Sequence, residues 1–247
     1  MTNEIPQELL WELAGSSKVV ALTGAGVSAE VGIPTFRGPD GLWEGVKLEE
    51  VATPEAFKNN SQFVWNWYRE RRLRMREVNF GVSHKALAEL ETIIPEFILL
   101  TQNIDGLHAK AGSKNVIELH GNIWFDRCSK CGVRVEASME QKIPRCKNCG
   151  GLMRPDVVWF NEPLPEEALN EAFEASASCQ FFLSIGTSAL VQPAASLPLI
   201  AKNNGAFLLE INPNETPLTY YANWSFRRKS AEILPAIVEN LRKILKV

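Results

Sequence analysis

Four of the five cysteines stand in two C-x-x-C pairs, Cys128 with Cys131 and Cys146 with Cys149, fourteen residues apart. Two tight turns at that separation can present four thiolates tetrahedrally to one zinc ion. Gly132 and Gly150-Gly151, directly after the pairs, suit such turns. Four thiolates close the coordination shell and leave no place for an activated water, so this zinc is expected to be structural. Thiolate ligands belong to a reducing compartment, and the cytoplasm is the expected location. Cys179 stands alone before an apolar run and reads as a small buried residue.

The second chemical stretch is LTGAGVSAEVGIPTFRG, Leu22 to Gly38. Gly24, Gly26 and Ala29 fit G-x-G-x-x-A after the β-branched Val19 and Val20, a pattern that lets main-chain N–H groups approach a pyrophosphate. A glycine pair after a strand also makes an ordinary tight turn, so alone the motif leaves both readings open. A dehydrogenase would next supply a strand ending in an acid about 20 residues on. Here Gly32-Ile33-Pro34 breaks the helix instead, which points to a nucleotide used for something other than hydride transfer. Polar residues also follow two other apolar runs: Gln102-Asn103-Ile104-Asp105-Gly106-Leu107-His108 after FILLT, and His120-Gly121 after VIEL. A histidine in such a place can act as general base near neutral pH. His84 and His108 are expected in structural hydrogen bonds or helix caps.

These residues need elements to hold them. With 247 residues, 45% hydrophobic and 22% charged, the chain can bury a large core. Residues 5–15 read as an amphipathic helix and 18–22 as a first buried strand, and apolar runs at 97–101, 116–119, 181–185 and 206–211 alternate with helical patterns. That alternation predicts a parallel α/β sheet, with polar loops at the strands' carboxyl ends where such sheets bind ligands. The expected division is a discontinuous sheet domain (1–40, 81–122 and 155–247), a helical module (41–80) and a zinc-binding module (123–154). Thr53-Pro54 should start a capped helix, and the arginines at 69, 71, 72, 74 and 76 read in the first instance as a solvated helix face. A formal net charge of -3 offers no general attraction to nucleic acid. No stretch approaches ~20 uninterrupted apolar residues, and Met1 to Leu13 lacks a signal-peptide pattern, so neither membrane insertion nor secretion is expected.

Taken together, GAGVSAE (24–30), GIPTFRG (32–38), QNID (102–105), HG (120–121), the cysteine pairs, RPDVVWF (154–160), GTS (186–188) and INPN (211–214) resemble the sirtuin family, the NAD-dependent protein-lysine deacylases, over nearly the whole length. The resemblance implies a Rossmann-like domain with inserted zinc and helical modules, and NAD and an acyl-lysine protein or peptide meeting in the cleft between. It would place Gly24, Ala25, Gly26, Ala29, Gly186, Thr187, Ser188, Asn212, Asn214 and Ala231 at the cofactor, Gln102 on a ribose, and Phe36 and Arg37 over the reacting ribose. Asn103, Ile104 and Asp105 would hold the nicotinamide end, with Asn103 also counted as catalytic. His120 would deprotonate the ribose hydroxyl that carries the acyl group to ADP-ribose. Val157, Val158 and Phe160 would bind the substrate peptide as an added strand over 157–161. The family usually has glycine where this chain has Asn161, which puts docking at that edge in doubt.

Val64, Tyr68, Arg71 and Met75 fall on one helical stripe, so Arg71 interrupts a largely apolar face. A guanidinium there requires an anion, either an internal acid or the distal carboxylate of a ligand. Tyr68-x-x-Arg71 resembles the pair of the class III sirtuins, which remove succinyl and malonyl groups, and Ala52 matches the small residue that widens their pocket. The expected activity is therefore removal of dicarboxylic acyl groups, with deacetylation weaker. Three alternatives stand beside it: a deacetylase proper, a mono-ADP-ribosyltransferase, and a non-catalytic NAD-responsive zinc protein. The 123–154 segment is basic but lacks the aromatic interleaving that stacks nucleic-acid bases.

Overall fold

The computed structural model describes residues 5–35, 42–43 and 46–246. Phe36 and Arg37 lie outside the described residues. Helix α1 (Gln7–Gly15) leads into β1 (Lys18–Thr23) and the short helix α2 (Ala25–Ala29). A small hairpin, β2 (Leu42–Trp43) with β3 (Val46–Lys47), precedes α3 (Leu48–Val51), α4 (Pro54–Asn59) and α5 (Ser61–Met75). Then come α6 (Val82–Ile93), β4 (Glu96–Thr101), α7 (Leu107–Lys110) and β5 (Val116–Glu118). Strands β6 (Gly121–Cys128), β7 (Arg134–Glu136) and β8 (Met153–Val157) form a separate antiparallel sheet. The chain then returns through α8 (Glu166–Ser178), β9 (Phe181–Ile185), α9 (Leu197–Asn203), β10 (Phe207–Ile211), β11 (Trp224–Phe226) and α10 (Ser230–Leu245).

The main sheet is parallel, in the order β11-β10-β9-β1-β4-β5. Its strands can be continuously apolar because both faces are covered. Along β1, Val19 and Ala21 face the core built with α1, α6 and α10, whereas Val20 and Leu22 face the core built with α8 and α9. Strand order reverses at β1, and the crevice outside the carboxyl ends at such a point is where open α/β sheets bind ligands. The register decides what lines it. Thr23 pairs with Thr101 and with Ile185, and Ile185 pairs with Ile211. The next residues along the four strands, Gly24, Gln102, Gly186 and Asn212, therefore share one rim.

The predicted cap forms, with the Ala56 N–H donating to Thr53 Oγ1 at 3.0 Å. The arginine run departs from expectation, because Arg71 is 3% exposed and Arg72 fully buried. The antiparallel sheet extends past residues 123 and 154 at both ends. Among the described residues, no helix is long and apolar enough to cross a membrane.

Candidate active site and metal centre

Three glycines make the floor of the crevice. The Gly24 N–H donates to the Ile185 carbonyl (3.0 Å) and the Gly26 N–H to the Gly186 carbonyl (2.9 Å). A Cβ on Gly24 would lie 2.8 Å from the Gly186 carbonyl oxygen, and one on Gly26 would lie 2.8 Å from the Gly186 Cα. Backbone thus passes on backbone at Gly26, and at Gly24 the backbone of Gly186 and the Cβ of Thr187 stand nearly equally close. Around it the loops tie one another: Gln102 Nε2 donates to Thr187 Oγ1 (2.9 Å), Asn212 Nδ2 to the Thr187 carbonyl (2.7 Å), and the Asn214 N–H to Asn212 Oδ1 (3.1 Å). Ala25 is half-buried, and Ala29, Ser188 and Asn214 are exposed. Ala231 lies at the start of α10, where its N–H donates to Glu30 Oε1 at 2.8 Å. A glycine floor ringed by amides and hydroxyls fits a dinucleotide, whose phosphates need close main-chain approach.

Ser28 joins the polar loop to this floor. Asn103 Nδ2 donates to Ser28 Oγ (3.0 Å) and to the Gly24 carbonyl (3.1 Å), while Ser28 Oγ donates to Asp105 Oδ2 (2.7 Å). The Leu107 N–H donates to Asp105 Oδ1 at 2.9 Å, and Trp124 Nε1 donates to the Asp105 carbonyl at 2.7 Å. Asn103 and Asp105 are both buried, and Ile104 between them packs against the cluster under β8. Ser28 was missed in the sequence as a site residue; its only signal is a hydroxyl among the small residues of the glycine motif. Behind it lie His84, whose Nδ1 accepts the Gly81 N–H at the start of α6, and His108, whose Nε2 is hydrogen-bonded to Thr23 Oγ1 at 2.9 Å. Their rings stand 4.8 Å apart. Burial pushes both imidazoles below the ordinary range, His108 to about 3, so both are neutral and structural.

His120 sits just beyond β5, half-buried at the crevice wall. Its Nδ1–H donates to the Gln102 carbonyl at 3.0 Å, since a carbonyl can only accept, and Nε2 is left as the basic nitrogen. Burial lowers its pKa and the Gln102 carbonyl partly raises it back. Gly121 follows at φ +76, where a Cβ would meet the Asp156 carbonyl at 2.2 Å. Only glycine lets the chain turn away there and leave the imidazole at the wall.

Ala52, Tyr68 and Val157 share one buried cluster with Trp159, and Ile104 and Phe160 pack against it. Trp159 Nε1 donates to the Tyr68 hydroxyl at 2.9 Å, and burial pushes the phenol pKa up. The Arg71 guanidinium lies 3.9 Å over the Trp67 ring. β8 stops at Val157, and the next three N–H groups are already committed: Val158 to the His120 carbonyl (2.9 Å), Trp159 to Glu162 Oε2 (2.9 Å) and Phe160 to the Ala52 carbonyl (2.9 Å). Arg154 anchors that turn through Glu162 and lies 3.2 Å over the Trp159 ring. Asn161 has φ +67, the left-handed region that glycine prefers and asparagine tolerates better than other residues.

The ligand atoms of Cys128, Cys131, Cys146 and Cys149 all lie within 4.8 Å of one another. The Cys128–Cys149 and Cys131–Cys146 sulfur separations are 3.5 and 3.6 Å. A zinc tetrahedron with bonds of about 2.3 Å needs sulfurs roughly 3.8 Å apart. The donor set fits one structural zinc ion.

Residues 24–193 match the Sir2 family model. The chain is 50% identical over 228 residues to an NAD-dependent protein deacylase of Aquifex aeolicus, covering 91% of this chain and 95% of that protein. It is 48% identical over 242 residues to NAD-dependent protein deacylase 1 of Archaeoglobus fulgidus, covering 97% and 99%. A Sir2 homologue solved as an NAD complex superposes with a TM-score of 0.92 at 46% identity, covering 98% of this chain and 96% of that one. A Sir2 protein solved with a p53 peptide and NAD+ gives 0.82 at 33% identity, covering 96% and 98%.

Proposed function

The chain belongs to the Sir2 family and is an NAD-dependent protein deacylase, and we propose that it favours lysine acyl groups that end in a carboxylate, succinyl and malonyl, over acetyl. The observation that carries this preference is the burial of Arg71, 3% exposed, on the same helix face as Tyr68 and beside the cluster that contains Ala52. A planar guanidinium can take a carboxylate bidentately, and the Tyr68 hydroxyl adds a neutral donor.

The acyl-lysine enters the apolar cluster between Ala52, Val157 and Ile104, and the glycine floor at Gly24, Gly26 and Gly186 receives the dinucleotide phosphates. NAD, when bound, supplies the ribose carbon and hydroxyls to which the acyl group is transferred. Asn103 and Asp105, braced by Ser28, orient the nicotinamide end in a water-poor site. Asp105 Oδ1 and Oδ2 each accept a hydrogen bond, which holds the carboxylate in one orientation. His120 Nε2 takes the proton of a ribose hydroxyl, and the Nδ1–H bond to Gln102 stabilises the imidazolium that results.

The test is Arg71→Met, assayed by NAD-dependent turnover of one peptide carrying acetyl, succinyl or malonyl lysine. Loss of a buried charge-assisted pair, on the order of 2 to 5 kcal/mol, should collapse succinyl and malonyl turnover and leave acetyl turnover little changed. An unchanged succinyl-to-acetyl ratio would end the dicarboxylate reading and leave a plain deacetylase.

A further inference from the structure

Helix α5 is gripped along one face by a short piece of main chain. Gln62, Trp65, Arg69 and Arg72, spaced so that they share a stripe, donate in turn to the carbonyls of Gln141 (2.7 Å), Glu140 (2.9 Å), Met139 (2.7 Å) and Ser138 (3.2 Å). Four side chains ascending the helix thus meet four successive carbonyls in reverse order. That segment lies between β7 and the zinc ligand Cys146.

Arg72 is the fixed end of the ladder. Fully buried, it also donates Nε to the Ile123 carbonyl (2.6 Å) and Nη2 to the Phe125 carbonyl (3.2 Å) and to Asp126 Oδ1 (2.6 Å). Asp126 Oδ2 in turn accepts the Ser138 N–H at 2.8 Å, so one carboxylate holds both the guanidinium and the start of the 138–141 segment. The planar fork of an arginine can meet carbonyls in several directions at once, which a lysine cannot. Tyr68 and Arg71 lie on the neighbouring face of the same helix. Turning α5 by a single residue position rotates it about 100° and would carry both out of register with Trp159 and Ala52.

We infer that Arg72 is a positioning residue for acyl recognition: through the carbonyls of Ser138–Gln141, the zinc-bound part of the chain sets the rotation of the helix that presents Tyr68 and Arg71. The inference rests on reading Tyr68 and Arg71 as the acyl-binding pair.

The test uses the full zinc-loaded chain and the variant Arg72→Met/Asp126→Asn, which neutralises both partners so that no buried charge is stranded. KM and kcat are measured with acetyl, butyryl and succinyl forms of one peptide, together with KM for NAD and zinc per chain. Zinc should be retained and KM for NAD stay within about twofold, while KM for the succinyl peptide rises about tenfold or more and that for the acetyl peptide less than about threefold. A uniform fall of kcat/KM for all three acyl groups, or no change, overturns the positioning role, because a merely structural contact has no reason to sort acyl chains. If the parent does not turn over the succinyl peptide, the acyl-pair reading fails separately. The positioning role is then decided on the butyryl-to-acetyl ratio, which a displaced Tyr68 shifts. Should the double variant not fold, Arg69→Met and Trp65→Phe each remove one rung and should shift the same ratios about two- to threefold; unchanged ratios in both overturn the inference.

Discussion

The metal ribbon and the nucleotide crevice both fix polar groups at set distances inside the protein, and they do so by opposite means. In the ribbon, four sulfurs from one stretch, Cys128 to Cys149, converge on a single point that one zinc ion fits. In the crevice, groups from loops as far apart as Gly24 and Asn214 hold one another by hydrogen bonds, with Ser28 and Thr187 as the junctions. A centre held by one ion should fail all at once. A centre held by many mutual bonds should fail one function at a time.

The sharpest way to break that contrast is Cys146→Ser. Structural zinc contributes on the order of 10 kcal/mol or more to small metal folds, so the variant should lose its metal and, with the ribbon, the docking of α5. Metal analysis should fall from one zinc per chain to near zero, and turnover of every acyl group should be lost. A variant that keeps its zinc and full turnover would show the ribbon to be as distributed as the crevice. His120→Ala should do the reverse, lowering turnover about 10²-fold or more while zinc content, melting temperature and NAD binding stay near those of the parent. Because burial depresses the His120 pKa, the acid limb of kcat/KM in the parent enzyme should fall below the ordinary histidine value of about 6.5. A limb at or above that value would mean that burial does not depress the His120 imidazole.

A smaller effect sharpens the crevice side. His108 has its folded pKa depressed to about 3 by burial, so it takes up a proton on unfolding. The stability it contributes is complete above the unfolded value near 6.5 and is lost as pH falls towards 3, at about 1.4 kcal/mol per pH unit. Urea unfolding between pH 4 and 6 should show this slope, and His108→Asn should flatten it by about that amount. A variant with the parent's slope would place the acid sensitivity elsewhere. The smallest effect concerns Asn161. With φ +67, Asn161→Ala should destabilise by about 1 kcal/mol and Asn161→Gly by next to nothing; equal melting temperatures for the two would show that the turn relaxes.

How much of this was legible follows the same division. The cysteine cluster could be read from spacing because its geometry is local. The rim of Gly24, Gln102, Gly186 and Asn212 could be read because each follows an apolar run, and parallel strands bring their carboxyl ends to one side. Ser28 could not, since a hydroxyl on a short helix carries no periodic signal. Arg72 was hidden inside a run that looks like a solvated face, and Asp126 with the Ile123, Phe125 and Ser138 carbonyls, more than fifty residues on, explain its burial. The turn after Val157 is held by Ala52 and Glu162, which capture its N–H groups, and such partners leave no trace in the local pattern. Asn161 holds the left-handed backbone that glycine would adopt there, a conformation asparagine tolerates better than most residues.

The central place of β1 bears on how the chain is made. One edge pairs with β4, which ends at Thr101, but the other pairs with β9, which begins only at Phe181. The roughly 80 residues between them take on the order of 5 to 15 s to synthesise at ribosomal rates. For that interval Val19 to Thr23, apolar and rich in β-formers, offers an unpaired edge to any other nascent strand. Lys18 is the only charge on it. Association between growing chains, rather than loss of the finished fold, is the hazard this strand order creates, and the yield of active protein should depend more on translation speed and chaperone supply than on the stability of the completed sheet.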